Sequence, residues 1–477
     1  MNTDIEYNKS PAWIEESVVY QIFPDRFRRG KKLKANNNFM NQNEEPNFYG
    51  FFGGDLYGII DSLEYLENMG ITCISLNPIF SSAANHRYHT YDYFQVDPLL
   101  GGNEAFDLLL EKIHQRNMHL VLDGVFNHSG RGFYPFHHIV ENGTKSPYKD
   151  WFKIYKDKIN PYPDNEEKCG YECWWNDPAL PKFNFSNQEV QNYLLSVASF
   201  WAKRGIDGWR LDVAKEIPFS FWDKFNTEMK SINPEIWVLG EIWGDARKWM
   251  NKNYFDGIMN YRIGWSTISW VSDSELNSSY KNALYPIKNL NSREYIDIIN
   301  KTFSWYTNDA NKSNLNLLDS HDVPRALNSL KDFKCLKLAL FLLFLYKGVP
   351  CIYYGTEVGL RGGEDPLCRE PFPWGLKPIV DLRTFIKELI KFRKKNYSLI
   401  KNGIILDYLE EDVLVVNFKE HNSKLEKKSS IKTIYVNRSK KNFFKIPKKY
   451  SKVSYFSEES NEKIIDLPPQ TCICLES

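Results

Sequence analysis

The 477-residue chain has little of several things, and each shortage removes a class of protein. It has almost no net charge. Its 61 Lys and Arg face 60 Asp and Glu, so nothing favours nucleic acid or an anionic membrane as partner. No apolar run approaches the roughly 20 residues of a membrane span. The longest, Leu336 to Tyr346, is short and carries Lys337. The opening MNTDIEYNKSPAWIEES lacks a basic stretch followed by an apolar one, so no secretory signal is expected and the cytoplasm is the expected location. The 8 cysteines form no framework. Cys73, Cys351, Cys472 and Cys474 lie in strand-like apolar segments, as reduced core residues do. Cys169 and Cys173 flank GYE at a spacing open to a metal or disulfide pair, but one such pair is a weak signal. Internal repeats are absent.

What is present begins with length, which is too great for one compact core and predicts two or three domains. Aromatic residues reach 15%, enough either for large cores or for platforms on which flat ligands stack. Strand-like and helix-like segments alternate. SVVYQIF, ITCISLNPIF, HLVLDGVFNH, GIDGWRLDV, IWVLGEIW, FDGIMNY, NLNLLDSHD and VPCIYYG read as strands. Between them, GIIDSLEYLENMG, NEAFDLLLEKIHQRN, PFSFWDKFNTEMKS, a region near Ser292 to Phe303, FKCLKLALFLLFL and DLRTFIKELIKFRKK read as helices. Ser186 and Glu189 have capping-box spacing before a helix whose face is Val190, Tyr193, Leu194, Val197 and Trp201. About eight strand–helix units predict an α/β fold of the (β/α)8 TIM-barrel type. An irregular insertion, rich in Pro, Gly, Tyr and Trp, follows the third strand. After about Leu399 the runs GIILDYL, VLVVNF, KTIYVNR, VSYFS and TCICLE predict a C-terminal antiparallel β-sandwich, with NSKLEKKSSIK as a solvated hairpin loop. The expected division is 1–127 and 182–398 for the barrel, 128–181 for the insertion and 399–477 for the β domain.

Charged residues stand where apolar strands end. DGVFNH ends in Asn127 and His128, GWRLDVAKE carries Arg210 and Asp212, LGEIW contains Glu241, and LLDSHD ends in His321 and Asp322. In a barrel of this type such ends converge on one cleft. Arg210 and Asp212, two apart, point to the same side, and the guanidinium is expected to keep the carboxylate ionised, as a nucleophile needs. Glu241, among Leu239, Ile242 and Trp243, is expected to favour its protonated form, as a general acid needs. One anionic and one protonated carboxyl are the working pair of glycoside hydrolysis.

In order and in strand position, these four segments resemble the signature regions of the α-amylase superfamily, glycoside hydrolase family 13. The resemblance covers nearly the whole chain and is nearest to the neopullulanase and cyclomaltodextrinase subgroup. It implies Asp212 as nucleophile, Glu241 as acid/base and Asp322 as the third carboxylate, which binds sugar hydroxyls. It implies that Arg210, His128 and His321 hold the nucleophile and the sugar. HRYHTYDYF resembles the segment supplying a stacking tyrosine, here Tyr88, although His89 stands where the family often has aspartate. LPKFN resembles the fifth signature. DPLCREPFPW resembles a loop whose Asp365 and Arg369 touch the next sugar, and Trp243 flanks the leaving-group side. VAKE replaces the subgroup's VANE, and its Lys215 resembles a lysine contacting sugars beyond the cleavage point. The chain begins almost at the first barrel strand, so the subgroup's extra N-terminal β domain is not expected, and oligomeric state is left open. Asn127 matches a calcium-ligating position, but NNNFMNQNEEPN lacks the spaced aspartates of a loop site, so structural calcium is not supported. The chemistry requires no cofactor and no metal ligand is assigned.

The resemblance implies a retaining hydrolase of α-1,4-linked glucans, maltooligosaccharides, cyclodextrins or pullulan. Two rivals stand beside it. One is a glucanotransferase using the same covalent intermediate. The other is an inactive carbohydrate-binding relative, which the presence of all three carboxylates opposes. YECWW, Tyr171 to Trp175, reads equally as a sugar-stacking rim and as a small core of the insertion.

Overall fold

The computed structural model describes residues 10–34, 37–164, 168–250, 254–272, 276–277, 287–418, 431–446, 452–454 and 465–476. Eight strands form a closed parallel barrel: β1 (Val19–Ile22), β2 (Cys73–Leu76), β3 (His119–Gly124), β4 (Gly208–Leu211), β5 (Trp237–Gly240), β6 (Gly257–Asn260), β7 (Leu315–Leu317) and β8 (Val349–Tyr353). Each pairs with its sequence neighbours, and β8 closes on β1. Alternation along the strands builds two cores. Val19, Cys73, Val121, Trp237, Leu239, Met259, Leu315 and Cys351 fill the barrel interior. Tyr20, Ile74, Leu122, Trp209, Leu211, Val238 and Ile352 meet the surrounding helices. On β4, Trp209 and Leu211 thus belong to the outer core. Arg210 lies between them, fully enclosed, with Nε 3.4 Å from the interior Met259 Sδ.

Three local expectations need correction. The segment read as one helix from Gly58 is two, Leu56–Ile60 and Leu63–Met69. Ser62 Oγ donates to Gly58 O, and Arg28 donates to Asp61 O, at the break between them. The helix Gln188–Lys203 is capped by Asn187, whose side chain accepts from Glu189 N, and not by Ser186. After β6 comes a helix that periodicity did not show, Tyr261–Val271. All its residues except Arg262 are buried, so it has no polar face to give it a period. The helix Ser292–Ser304 is additional to it.

The excursion after β3 is held together by short bridges, Phe152 with Phe183, Ile154 with Tyr171 and Cys173 with Pro181. A bridge from His128 to Lys182 ties it back to the barrel mouth. Tyr171 is buried against Phe136, so that part of YECWW is core. At the C-terminal end, strands Ile404–Glu410, Val413–Phe418, Ile431–Asn437, Thr471–Glu476 and Lys452–Ser454 form an antiparallel sheet in that spatial order. Phe444–Ile446 and Ile465–Leu467 form a second ribbon. One face of the sheet, with Leu414, Val416, Ile434, Val436, Cys472 and Cys474, joins the barrel's outer core. The other, with Val413, Ile473 and Leu475, packs on the ribbon. Most of the NSKLEKKSSIK segment lies outside the described residues. No described helix is long and apolar enough to cross a membrane.

Candidate active site

Register places the site. Asp123 on β3 pairs with Arg210 on β4, and Arg210 with Leu239 on β5, so the three strands present their ends at one level. Arg210 Nη1 donates to Asp212 Oδ1 at 2.8 Å and to Asp123 Oδ1 and Oδ2 at 2.9 and 3.0 Å. Its Nη2 lies 2.9 Å from Glu241 Oε1 and 3.8 Å from Asp322 Oδ2, close enough for ion pairing without an aligned hydrogen bond. One guanidinium therefore touches the three expected carboxylates and a fourth that sequence reasoning had not singled out.

β4 ends at Leu211, and Asp212 stands just beyond it, its N–H bonded to Gly124 O at 3.1 Å. Val213 follows at φ 47°, in the left-handed region that a β-branched residue avoids. That turn aims the Val213 N–H at Glu241 Oε2, 3.0 Å away. Trp243 Nε1 donates to Glu241 Oε1 at 3.0 Å. The apolar setting expected for Glu241 is thus incorrect: backbone, indole and guanidinium donors surround it.

On the opposite side, Tyr88 and His321 stack with ring centres 5.4 Å apart and planes 6° apart. Tyr88 Oη donates to Asp123 Oδ2 at 2.9 Å and lies 2.6 Å from His321 Nε2. Asn77, at the end of β2, donates to Tyr88 Oη at 3.1 Å and reaches His321 Nδ1 at 3.0 Å. Arg369 donates to His321 O at 2.9 Å and pairs with Asp365 at 2.9 Å, with Asp322 3.7 Å away. Tyr88, His128, Asp212, Lys215, Glu241, Trp243, Asp322, Asp365 and Arg369 all line one cleft of about 1250 Å³. Arg210 and His321 are buried beside it. Every residue expected from sequence is thereby in or behind a single cavity. Asp123 and Asn77 were missed.

The electrostatics differ from expectation at Asp212. Burial pushes its carboxyl well above the ordinary value; Arg210 opposes this, while Glu241, Asp123 and Asp322 add to it. Burial likewise pushes Asp123 up to about 6 and Asp322 up to about 7, the latter with help from the Glu241 charge. His128 is pushed down to about 3 by burial and is neutral. Arg210 and, at Asp322, Arg369 oppose the rise of these carboxyls without cancelling it, so burial and mutual repulsion favour a proton shared within the cluster.

Among the described residues no group of three or more His, Cys, Asp or Glu could hold a metal ion. Asn127 Oδ1 is a buried acceptor without a hydrogen-bond partner among the described residues. Cys169 and Cys173 are free thiols, their sulfurs 3.8 Å apart.

Acidic side chains meeting around one arginine at a barrel mouth define a carboxylate-dependent glycoside hydrolase. Residues 21–388 match the model of the α-amylase catalytic domain. A cyclomaltodextrinase of Geobacillus thermopakistaniensis is 37% identical over 412 residues, 86% of this chain and 67% of that protein. An intracellular maltogenic amylase of Bacillus subtilis is 37% identical over 451 residues, 91% of this chain and 73% of that protein. The crystal structure of a debranching enzyme from Nostoc punctiforme superposes with a TM-score of 0.87 at 36% identity, covering 98% of this chain and 99% of that one. The chain belongs to the α-amylase family and is a glycoside hydrolase acting on α-glucosidic bonds.

Proposed function

We propose that the chain cleaves α-1,4 bonds of maltooligosaccharides and cyclic glucans in the cytoplasm, by double displacement with Asp212 as nucleophile. The observation that carries this reading is the buried Arg210 guanidinium in contact with both Asp212 and Glu241, which line the cleft. Asp212 Oδ1 is held by Arg210, and the carboxylate lines the cleft as the attacking group. Glu241, oriented by Val213 N–H and Trp243 Nε1, protonates the glycosidic oxygen as the Asp212 carboxylate bonds to the anomeric carbon and the C–O bond breaks. Glu241 then takes a proton from water, whose oxygen displaces Asp212 from the sugar. The two carboxyl groups should lie about 5–5.5 Å apart, as retention requires. Asp322 and His321 bind sugar hydroxyls, Tyr88 stacks beneath the ring, and Lys215, Trp243, Asp365 and Arg369 contact neighbouring sugars.

The names of the relatives support the substrate class: one is named for cyclomaltodextrin, one for maltose release, one for debranching. The eight free cysteines fit a reducing compartment, as does a relative named intracellular. The test is a product profile on maltooligosaccharides, cyclodextrin, pullulan and sucrose. Hydrolysis to shorter α-1,4 fragments is expected, and Asp212→Asn should lower kcat by at least about 1000-fold. Products longer than the substrate point to a transferase; glucan binding without release of reducing sugar points to a binding module. Near-full turnover in the variant contradicts the assignment.

A further inference from the structure

Three rings form a continuous stack in the wall of the cleft. His128, fully buried at the inner end, stacks on Trp174 with centres 5.3 Å apart and planes at 12°. Trp174 stacks on Trp175 at 4.8 Å, again at 12°. All three line the cavity that holds the carboxylates. The outermost ring is not packed away: Trp175 is 67% exposed, with Trp174 covering one face.

The backbone holds this ring at a cost. Trp175 and Asn176 are consecutive non-glycine residues in the left-handed region, with φ of 50° and 58°. For Trp175 in particular this conformation is unfavourable and persists only where its surroundings enforce it. Here they do. Trp174 N donates to Leu180 O, Asp177 N to Trp174 O, and Leu180 N to Asp177 O, at 2.9–3.0 Å. Tyr171 Oη donates to Pro178 O at 2.6 Å, and Ala179 N to the Asp177 side chain at 2.8 Å. A lone exposed indole needs no explanation. An indole backed by a second ring, fixed by a strained and pinned turn, and facing a catalytic cleft is a preformed surface. Tyr49, on another wall of the cleft, is 90% exposed and is a poorer candidate for that reason.

We propose that the open face of Trp175 is a stacking platform for a glucosyl ring of the substrate outside the carboxylate cluster, and that it selects extended or cyclic glucans over short ones. The proposal rests on the glucan-hydrolase reading above. The chemistry fits: the C–H face of a pyranose is apolar and complements a flat indole. Asp177 and Arg131, which line the same cleft, offer polar groups to its hydroxyls. The ring is pre-oriented, so little side-chain entropy is lost on binding.

Trp175→Ala and Trp175→Tyr test it, with steady-state kinetics on maltoheptaose and β-cyclodextrin against maltotriose. In Trp175→Ala, KM for the two large substrates should rise about 5- to 10-fold with kcat within about twofold, while kcat/KM for maltotriose changes less than about twofold. Trp175→Tyr should recover most of the loss. Tryptophan fluorescence of Asp212→Asn should change on titration with maltoheptaose, and this change should shrink when Trp175→Ala is added. Unchanged KM for the large substrates in an enzyme that hydrolyses them normally overturns the platform alone. An equal loss on maltotriose overturns its selectivity, and a wild-type protein that cleaves none of these glucans overturns the catalytic reading and the platform together.

Discussion

Arg210 meets Asp123, Asp212 and Glu241 at 2.8–3.0 Å and Asp322 at 3.8 Å, and the proton balance of the site follows from that shortage of positive charge. Asp322 shows the consequence. Burial and the Glu241 charge raise its pKa from 3.8 to about 7. Between those values the folded protein binds more protons than the unfolded chain, so the contribution of Asp322 is fully present below pH 3.8 and is lost as pH rises towards 7. Asp322→Asn should therefore flatten the fall in stability across that window. At pH 8 it should melt about 1–3 °C above wild type, with the difference vanishing near pH 4, as read by thermal melts in a pH series. Parallel melting curves at all pH values contradict this. The expected carboxylates were legible because a charge in an apolar strand is conspicuous. Asp123 was open to the same logic, since HLVLDGVF places it in an equally apolar run. Its partnership with Arg210 depends on the β3–β4 register, which no short segment displays. The surroundings of Glu241 were misjudged because its donors, Val213 N–H and Trp243 Nε1, arrive through a left-handed turn and an indole orientation that no residue type announces.

At the scale of elements, the barrel strands were read nearly in place because burial on both sides gives them continuous apolar runs. Helix Tyr261–Val271 escaped for the opposite reason: buried almost all round, it has neither a polar face nor a side-chain cap. Helix Ser292–Ser304 carries a full capping box, with Asn291 accepting from Glu294 N at 2.8 Å and Glu294 accepting from Asn291 N at 3.0 Å. Asn291→Ala should cost about 1 kcal/mol in chemical denaturation with no change in kcat, because the helix stands outside the site. A drop in activity at unchanged stability contradicts this separation. The cap at Asn187 in place of Ser186 shows how little sequence says about boundaries: both are capping residues, and the choice between them depends on how the preceding loop enters the helix, where Gln191 Nε2 donates to Phe185 O.

At the scale of the molecule, the C-terminal sheet is joined to the barrel by apolar contact and by polar bonds, among them those of Arg438 and of Ser292 to Glu411. Arg438 Nη1 donates to Trp270 O at 2.8 Å and Leu290 O at 2.7 Å, and Nε pairs with Asp412 at 2.9 Å. Arg438→Ala leaves two buried carbonyls and a carboxylate without it. It should destabilise the protein by about 2–4 kcal/mol while leaving KM for maltooligosaccharides unchanged. A changed KM would mean that the sheet positions the cleft as well as covering the barrel. The two-faced sheet was legible in TCICLE, whose cysteines turn to the barrel and whose Ile473 and Leu475 turn to the ribbon. The seam at Arg438 was not legible, because its partners are backbone oxygens 148 and 168 residues away.

The most direct measurement is to trap the glycosyl-enzyme with a slow-turnover fluorinated maltosyl fluoride, digest the protein and locate the added sugar mass by tandem mass spectrometry. The peptide containing Gly208–Lys215 should carry it on Asp212. Label on Glu241 or Asp322, or rapid release of product with inverted anomeric configuration and no labelled peptide, contradicts the central claim.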